Sequence, residues 1–134
     1  MNKEELAEGI RKSVEWLRQA DNGCVTLKLD GILAVCVGWQ NGFDEDDESI
    51  IHSKSDPTWG IVCGIKAYNT DNMRTDYDYI SSPFSMKGNV YDTTTSVPLD
   101  DKSFERLVDY QWEEYEILSK FKIEKNGEVL SQLR

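Results

Sequence analysis

An α+β fold is expected from three features of this 134-residue sequence: a helix-period segment near each end, period-two segments between them, and turn residues where the period changes. The pattern predicts an N-terminal helix, an antiparallel β-meander of about four to five strands and a C-terminal helix. These elements would assemble as a two-layer sandwich with the helices on one face of the sheet. The length suits a single globular domain over residues 1–134, and neither a repeat nor a linker-like stretch divides it.

The first helix is expected over residues 3–20. Asn2 can cap it, and Glu5 stands three residues on as the capping-box partner. At 100° per residue, Leu6, Ala7, Ile10, Val14 and Leu17 share one arc, the core-facing stripe, whereas Trp16 lies off it. Asp21-Asn22-Gly23 should end the helix, with Gly23 as the left-handed residue. Cys24 to Leu29 then alternates, Val25, Leu27 and Leu29 on one face and Thr26 and Lys28 on the other. Asp30-Gly31 has the chemistry of a two-residue type I′ turn, and Ile32 to Trp39 would be the return strand. That strand is apolar on both faces, which argues for a central position in the sheet.

Gln40 to Pro57 is polar and irregular, and connections of this length are usually functional or mobile. Strand character returns from Thr58 to Tyr68. Trp59, Ile61, Cys63, Ile65 and Ala67 fall on one face, while Gly60 and Gly64 flank Val62 on the other and invite close approach by a neighbour. A further strand is expected at Asp76 to Ile80. Ser81 to Pro98 is read as loop, with a turn at Lys87-Gly88-Asn89 and a short strand at Val90-Tyr91. The second helix is expected over residues 100–120, capped by Asp100 or Asp101, with Phe104, Leu107, Val108, Tyr115 and Leu118 facing inward. Asn126-Gly127 suggests a small hairpin in the tail.

Charge narrows the function classes. With 25 acidic and 15 basic residues the formal net charge is −10. Such a balance disfavours direct nucleic-acid binding, which needs Lys and Arg to neutralise phosphate, and an anionic membrane surface. The longest apolar run, Ile32 to Trp39, is interrupted by Gly38 and falls well short of the ~20 residues of a membrane-spanning helix. The three cysteines sit in strand-like segments, and no signal-peptide pattern opens the sequence, so a cytoplasmic location is expected. Residues 41–60 alone carry −5 of the −10. The excess is therefore local.

Familiar catalytic and metal patterns do not fit. His52 is the only histidine, and a Cys–His nucleophile pair would have to draw on Cys36 or Cys63, both in apolar strands of an acidic chain. Cys24, Cys36, His52 and Cys63 lack the close Cys-x-x-Cys spacing of structural zinc sites. Asp44-x-Asp46-x-Glu48 starts like a calcium loop, but the positions that would need Gly and Glu are Ser49 and Ser55. Phosphate-binding glycine loops and the G-x-S-x-G elbow are missing from the sequence. No metal or cofactor is expected.

The expected function is a non-enzymatic acidic binding protein that engages a basic groove on a partner protein. Its candidate partner-binding residues are Asp44, Glu45, Asp46, Asp47 and Glu48 in the loop, Asp76 and Asp78 in a strand, and Glu105, Asp109 and Glu113 along one arc of the second helix. In size and charge the chain resembles phage and mobile-element inhibitors of host nucleases, anti-CRISPR proteins among them. That resemblance implies a nucleic-acid mimic whose partner is a nucleic-acid-binding enzyme, steered by charge complementarity. The alternative is a small-ligand or divalent-metal-binding domain, including an enzyme of unfamiliar type, with a pocket between the 40–57 loop and the sheet lined by His52, Asp56 and Trp59. The oligomeric state would be monomer or homodimer, with Trp16 as a candidate dimer contact.

Overall fold

The computed structural model describes residues 2–29, 33–67, 84–86, 89–91, 94–119, 121–123 and 129–132. Helix α1 spans Lys3–Ala20, followed by strands β1 (Cys24–Lys28), β2 (Leu33–Asn41) and β3 (Trp59–Ala67). Three short strands come next, β4 (Phe84–Met86), β5 (Asn89–Tyr91) and β6 (Thr95–Ser96). Helix α2 (Asp101–Leu118) precedes a terminal pair, β7 (Phe121–Ile123) and β8 (Val129–Gln132).

Both helices begin where the capping chemistry places them. The Asn2 carboxamide oxygen accepts the Glu5 backbone N–H at 2.8 Å, and the Glu5 carboxylate accepts the Asn2 N–H at 3.2 Å, closing a capping box. Asp100 caps α2, its carboxylate accepting the Ser103 N–H at 3.0 Å. The end of α1 differs from expectation. The left-handed residue that stops it is Asp21 (φ 60°, ψ 17°), whose N–H bonds to the Leu17 carbonyl; Gly23 follows with a positive φ of its own. A β-carbon disfavours this conformation, and Asp21 holds it because its carboxylate is engaged by a distant loop.

The main sheet has the order β1-β2-β3-β6, with every neighbouring pair antiparallel. β2 is internal, as its two apolar faces require. In the first hairpin Lys28 stands opposite Ala34, which leaves residues 29–33, an odd number, between the partners. A two-residue turn needs an even number, so this register is not the one Asp30-Gly31 alone would set. Asp30 and Gly31 themselves lie outside the described residues, as do Asp76 to Ile80, Lys87-Gly88 and Asn126-Gly127. Within the stretch expected as loop from Ser81 to Pro98, the short strand expected at Val90-Tyr91 is present as part of β5, and the structure adds its partner β4 and the β6 edge strand. These strands have two or three residues each, too short for a period to show in sequence. The terminal pair β7–β8 forms the hairpin expected in the tail.

One face of the sheet and both helices meet in a single apolar cluster. Leu6, Ile10 and Leu17 from α1, Val35 and Val37 from β2, Ile61, Cys63 and Ile65 from β3, and Phe104, Leu107 and Val108 from α2 are all buried in it. Ile51 and Val97 complete it from the connections. Val25, Leu27 and Leu29 pack at its margin, as the alternation of the first strand predicts. On the opposite face the glycines of β3 admit close neighbours. A β-carbon on Gly64 would lie 2.8 Å from the Thr94 hydroxyl and 3.0 Å from its Cα, and one on Gly60 would meet the Phe43 ring at 3.0 Å.

Two substitutions measure these packing arguments. Ile10→Ala should cost ~2–5 kcal/mol through lost burial and the residual cavity. Gly64→Ala should cost ~1–3 kcal/mol, since the Thr94 backbone must move. Chemical denaturation reads both, and a change below ~0.5 kcal/mol in either contradicts the packing described.

Candidate functional site

The 42–58 connection carries the acidic turn Asp44 to Glu48 and the only histidine, and leads into the exposed Trp59 at the start of β3. It is folded down rather than loose. Ile50, Ile51 and Ser53 are buried, Ile50 bridges to Pro98 and His52 to Gly60, and the Ser49 carbonyl accepts the Leu99 N–H at 3.0 Å. The sequence shows Ile50-Ile51 but not which surface they cover.

Asp21 pins the far end of this connection to α1. Its carboxylate accepts the Ser53 hydroxyl at 2.7 Å, the Lys54 N–H at 2.8 Å, the Ser55 N–H at 3.0 Å and the Ser55 hydroxyl. These donors, the Ser55 and Ser53 hydroxyls foremost, lower its pKa from 3.8 to about 2. No sequence signal within reach of Asp21 announces the bond, because the partners lie more than thirty residues away.

His52 braces the middle. Its Nδ1 lies 2.6 Å from the Pro57 carbonyl and its Nε2 2.5 Å from the Asp47 carbonyl. Both partners are acceptors, an arrangement that favours the imidazolium, the form with an N–H on each ring nitrogen. The pKa is accordingly raised above 6.5, chiefly by the bond to the Asp47 carbonyl and further by Pro57 and the charges of Asp47 and Asp44. His52 is therefore a brace within the connection, and it is not among the residues lining the nearby cleft.

The acidic turn is built on its own backbone bonds. The Asp44 carboxylate accepts the Asp46 N–H at 2.9 Å, and the Asp44 carbonyl accepts the Asp47 N–H at 3.1 Å. The Asp47 carboxylate takes the Ser49 N–H and hydroxyl, which lower its pKa. Asp44, Glu45, Asp46 and Glu48 are exposed and Asp47 is half-buried. No ion pair engages any of the five among the described residues.

The acids of α2 are differently placed. Asp109 pairs with Lys3 of α1, and Arg11 reaches Asp101 at 4.0 Å while stacking over Phe104 at 4.1 Å. Glu105 and Asp109 border a groove between the helices that also holds Lys3 and Arg11. Glu113 is exposed about 18 Å along the helix from Asp101, whereas the acidic turn adjoins the start of α2 through the Ser49–Leu99 bond. Asp76 and Asp78 lie outside the described residues. On the inner side of α2, Gln111 is fully buried and Glu114 is only 8% exposed, its pKa raised by burial. Neither residue stands out by type in so acidic a helix.

Beside the acidic turn, beyond the C-terminal end of α1, is a cleft of about 470 Å³ lined by Asp21, Cys24, Trp39, Ser55, Asp56 and Trp59 among others. Two residues expected for a pocket, Asp56 and Trp59, thus meet here. Trp39 is held by its indole N–H, which donates to the Leu17 carbonyl at 3.0 Å. Asp56 accepts the Thr58 hydroxyl at 2.7 Å and its N–H at 3.1 Å, and with the Trp59 indole these bonds lower its pKa. The Cys63 thiol is pushed up to about 12 by burial, which leaves it unreactive as a nucleophile. Among the described residues no group of His, Cys, Asp and Glu is arranged to hold a metal ion, and no helix is long and apolar enough to cross a membrane.

Protein-family models, curated proteins and solved structures give no significant match to this chain.

Two pH effects follow with opposite signs. Asp21 titrates lower folded than unfolded, so its contribution is complete above pH ~4 and is lost as pH falls through about 2. Asp21→Asn should lower the melting temperature at pH 7 and flatten its dependence between pH 4 and 2; an unchanged melting temperature at pH 7 refutes the clamp. His52 titrates higher folded than unfolded, so its contribution is complete below ~6.5 and is lost as pH rises through the folded pKa. The single imidazole C–H resonance reports this directly, and a measured pKa below 6.5 refutes the double donation.

Proposed function

We propose that this protein is a non-enzymatic binding domain whose acidic turn, Asp44 to Glu48, engages a basic groove on a partner protein. The observation that carries the reading is the turn itself: five successive carboxylates on a backbone held by internal bonds, exposed or half-buried, and without an ion-pair partner among the described residues. Charges fixed in this way give a partner's Lys and Arg residues a ready complement without the entropy cost of ordering a loose loop. They also speed encounter, in a manner screened by salt over about 10 Å at 0.1 M.

In its fullest form this is mimicry of nucleic acid, with carboxylates standing where a nucleic-acid-binding enzyme of the cytoplasm expects phosphates. Asp109, tied to Lys3, and Glu105, beside Lys3 and Arg11, are secondary contributors. A binding role also accords with the commitment of His52 to two carbonyls and the burial of Cys63, which leave neither for covalent or acid–base chemistry.

Replacing Asp44, Asp46 and Asp47 by Asn retains the side-chain oxygens that accept the turn's bonds and removes three charges. Wild-type bait in bacterial lysate should retain basic proteins at about 50 mM salt and release them by about 0.5 M, as expected of charge-driven contacts. The triple variant should lose most of that capture with little change in melting temperature. Equal capture by the two baits, quantified by mass spectrometry, overturns the proposal.

A further inference from the structure

We infer that the cleft between the end of α1 and the 53–59 segment is a binding site for a guanidinium cation. The assignment rests on the cleft's own residues and is independent of the acidic turn. About 470 Å³ is ample for an arginine side chain or a small guanidinium compound, and the lining holds two carboxylates, two tryptophans and no basic residue. Neither carboxylate is neutral at physiological pH: Asp21 and Asp56 are both held in the charged form by hydroxyl and backbone donors. The Trp39 indole is fixed before any ligand arrives by its bond to the Leu17 carbonyl, and Trp59 lines the same cleft beside Asp56. Trp59 is 37% exposed, so part of its ring is open to solvent and available for contact.

The chemistry selects the ligand class. An anion is rejected by two carboxylates in a lining that holds no basic residue. A neutral apolar ligand would gain nothing from the two carboxylates of the lining. A hydrated metal ion gains little from aromatic walls, whose contribution is to a weakly hydrated cation with a flat face. Guanidinium satisfies both elements: its plane stacks on an indole and its N–H edge bonds to a carboxylate. An alkylammonium offers a compact charge without the stacking plane and should fit less well. The same group can arrive on a partner's arginine side chain or on a free small molecule, and both present identical atoms to Asp56 and Trp59.

Titration of the wild-type protein with N-acetyl-arginine amide tests this, followed by tryptophan fluorescence and by amide chemical shifts. A saturable response at millimolar concentrations is expected, localised to residues 21–24, 39 and 53–59. N-acetyl-citrulline amide, the neutral isostere, should bind at least ~10-fold more weakly, and N-acetyl-lysine amide several-fold more weakly. Asp56→Asn and Trp59→Leu should each weaken arginine amide ~10-fold or more, while the Asp44, Asp46 and Asp47 triple variant should bind it nearly as wild type does. A short peptide with one central arginine separates the sources: tighter binding than the amide assigns a partner's side chain, equal binding a free cation. The inference is overturned by an absent or unsaturable response in the wild type, by citrulline or lysine amide binding as well as arginine amide, or by equal loss in the acidic-turn variant and Asp56→Asn. Because citrulline and arginine are compared on unaltered protein, a variant that folds poorly does not rescue the inference. Failure here leaves the capture experiment on the turn unaffected, and the reverse holds as well.

Discussion

The carboxylate of Asp21 joins the two halves of this molecule that carry its chemistry. It sits where α1 ends, in a left-handed conformation that a β-carbon disfavours, and it collects the donors of Ser53, Lys54 and Ser55. Without that charge the end of α1 and the 53–55 segment would present unmatched polar groups to one another. With it, a long polar connection becomes a fixed wall. Ile50 and Ile51 are then buried on one side of the wall, and Ser55, Asp56 and Trp59 face a cleft on the other.

His52 extends the same principle to the acidic turn. A ring between two carbonyl oxygens is held best when it carries both protons, and the neighbouring Asp47 and Asp44 charges favour that state. An acidic stretch that would be extended and solvated in isolation is thereby held as a turn. The cleft is its neighbour because Pro57, which accepts one end of the His52 ring, directly follows Asp56 in the chain.

Local interactions account for what could be read beforehand. The capping box at Asn2 and Glu5, the inward stripe of α1, the alternation of Val25, Leu27 and Leu29, and the paired faces of β3 all depend on neighbours within a few residues, so they are written as periodicity. The helix stops at Asp21-Asn22-Gly23 as expected, but the residue that caps it is a different one. Gly23 was the residue with the conformational freedom, yet Asp21 takes the decisive position because its side chain gains bonds more than thirty residues away. Within the acidic arc of α2, residue type could not separate Glu113, exposed, from Asp109, paired with Lys3. Nor could it mark Glu114, buried on the inner side of the same helix. The pocket residues divide for a similar reason: Asp56 and Trp59 share a cleft, while His52 is turned to carbonyls that only the folded chain brings to it.

By itself, the sequence determined the α+β class, the two capped helices, the antiparallel pairing of the first two strands and the concentration of negative charge in residues 41–60. Each follows from patterns of polarity and propensity that act over one turn or one strand. Tertiary structure alone decided that the acidic connection is anchored, that Asp101 and Asp109 of α2 meet bases of α1, and that Trp39 and Trp59 wall a cleft beside two carboxylates. The physical reason is distance along the chain. Hydrogen bonds from Ser53 to Asp21 and from Trp39 to Leu17 join residues that share no local pattern, and their partners become definite only once the sheet and α1 have met.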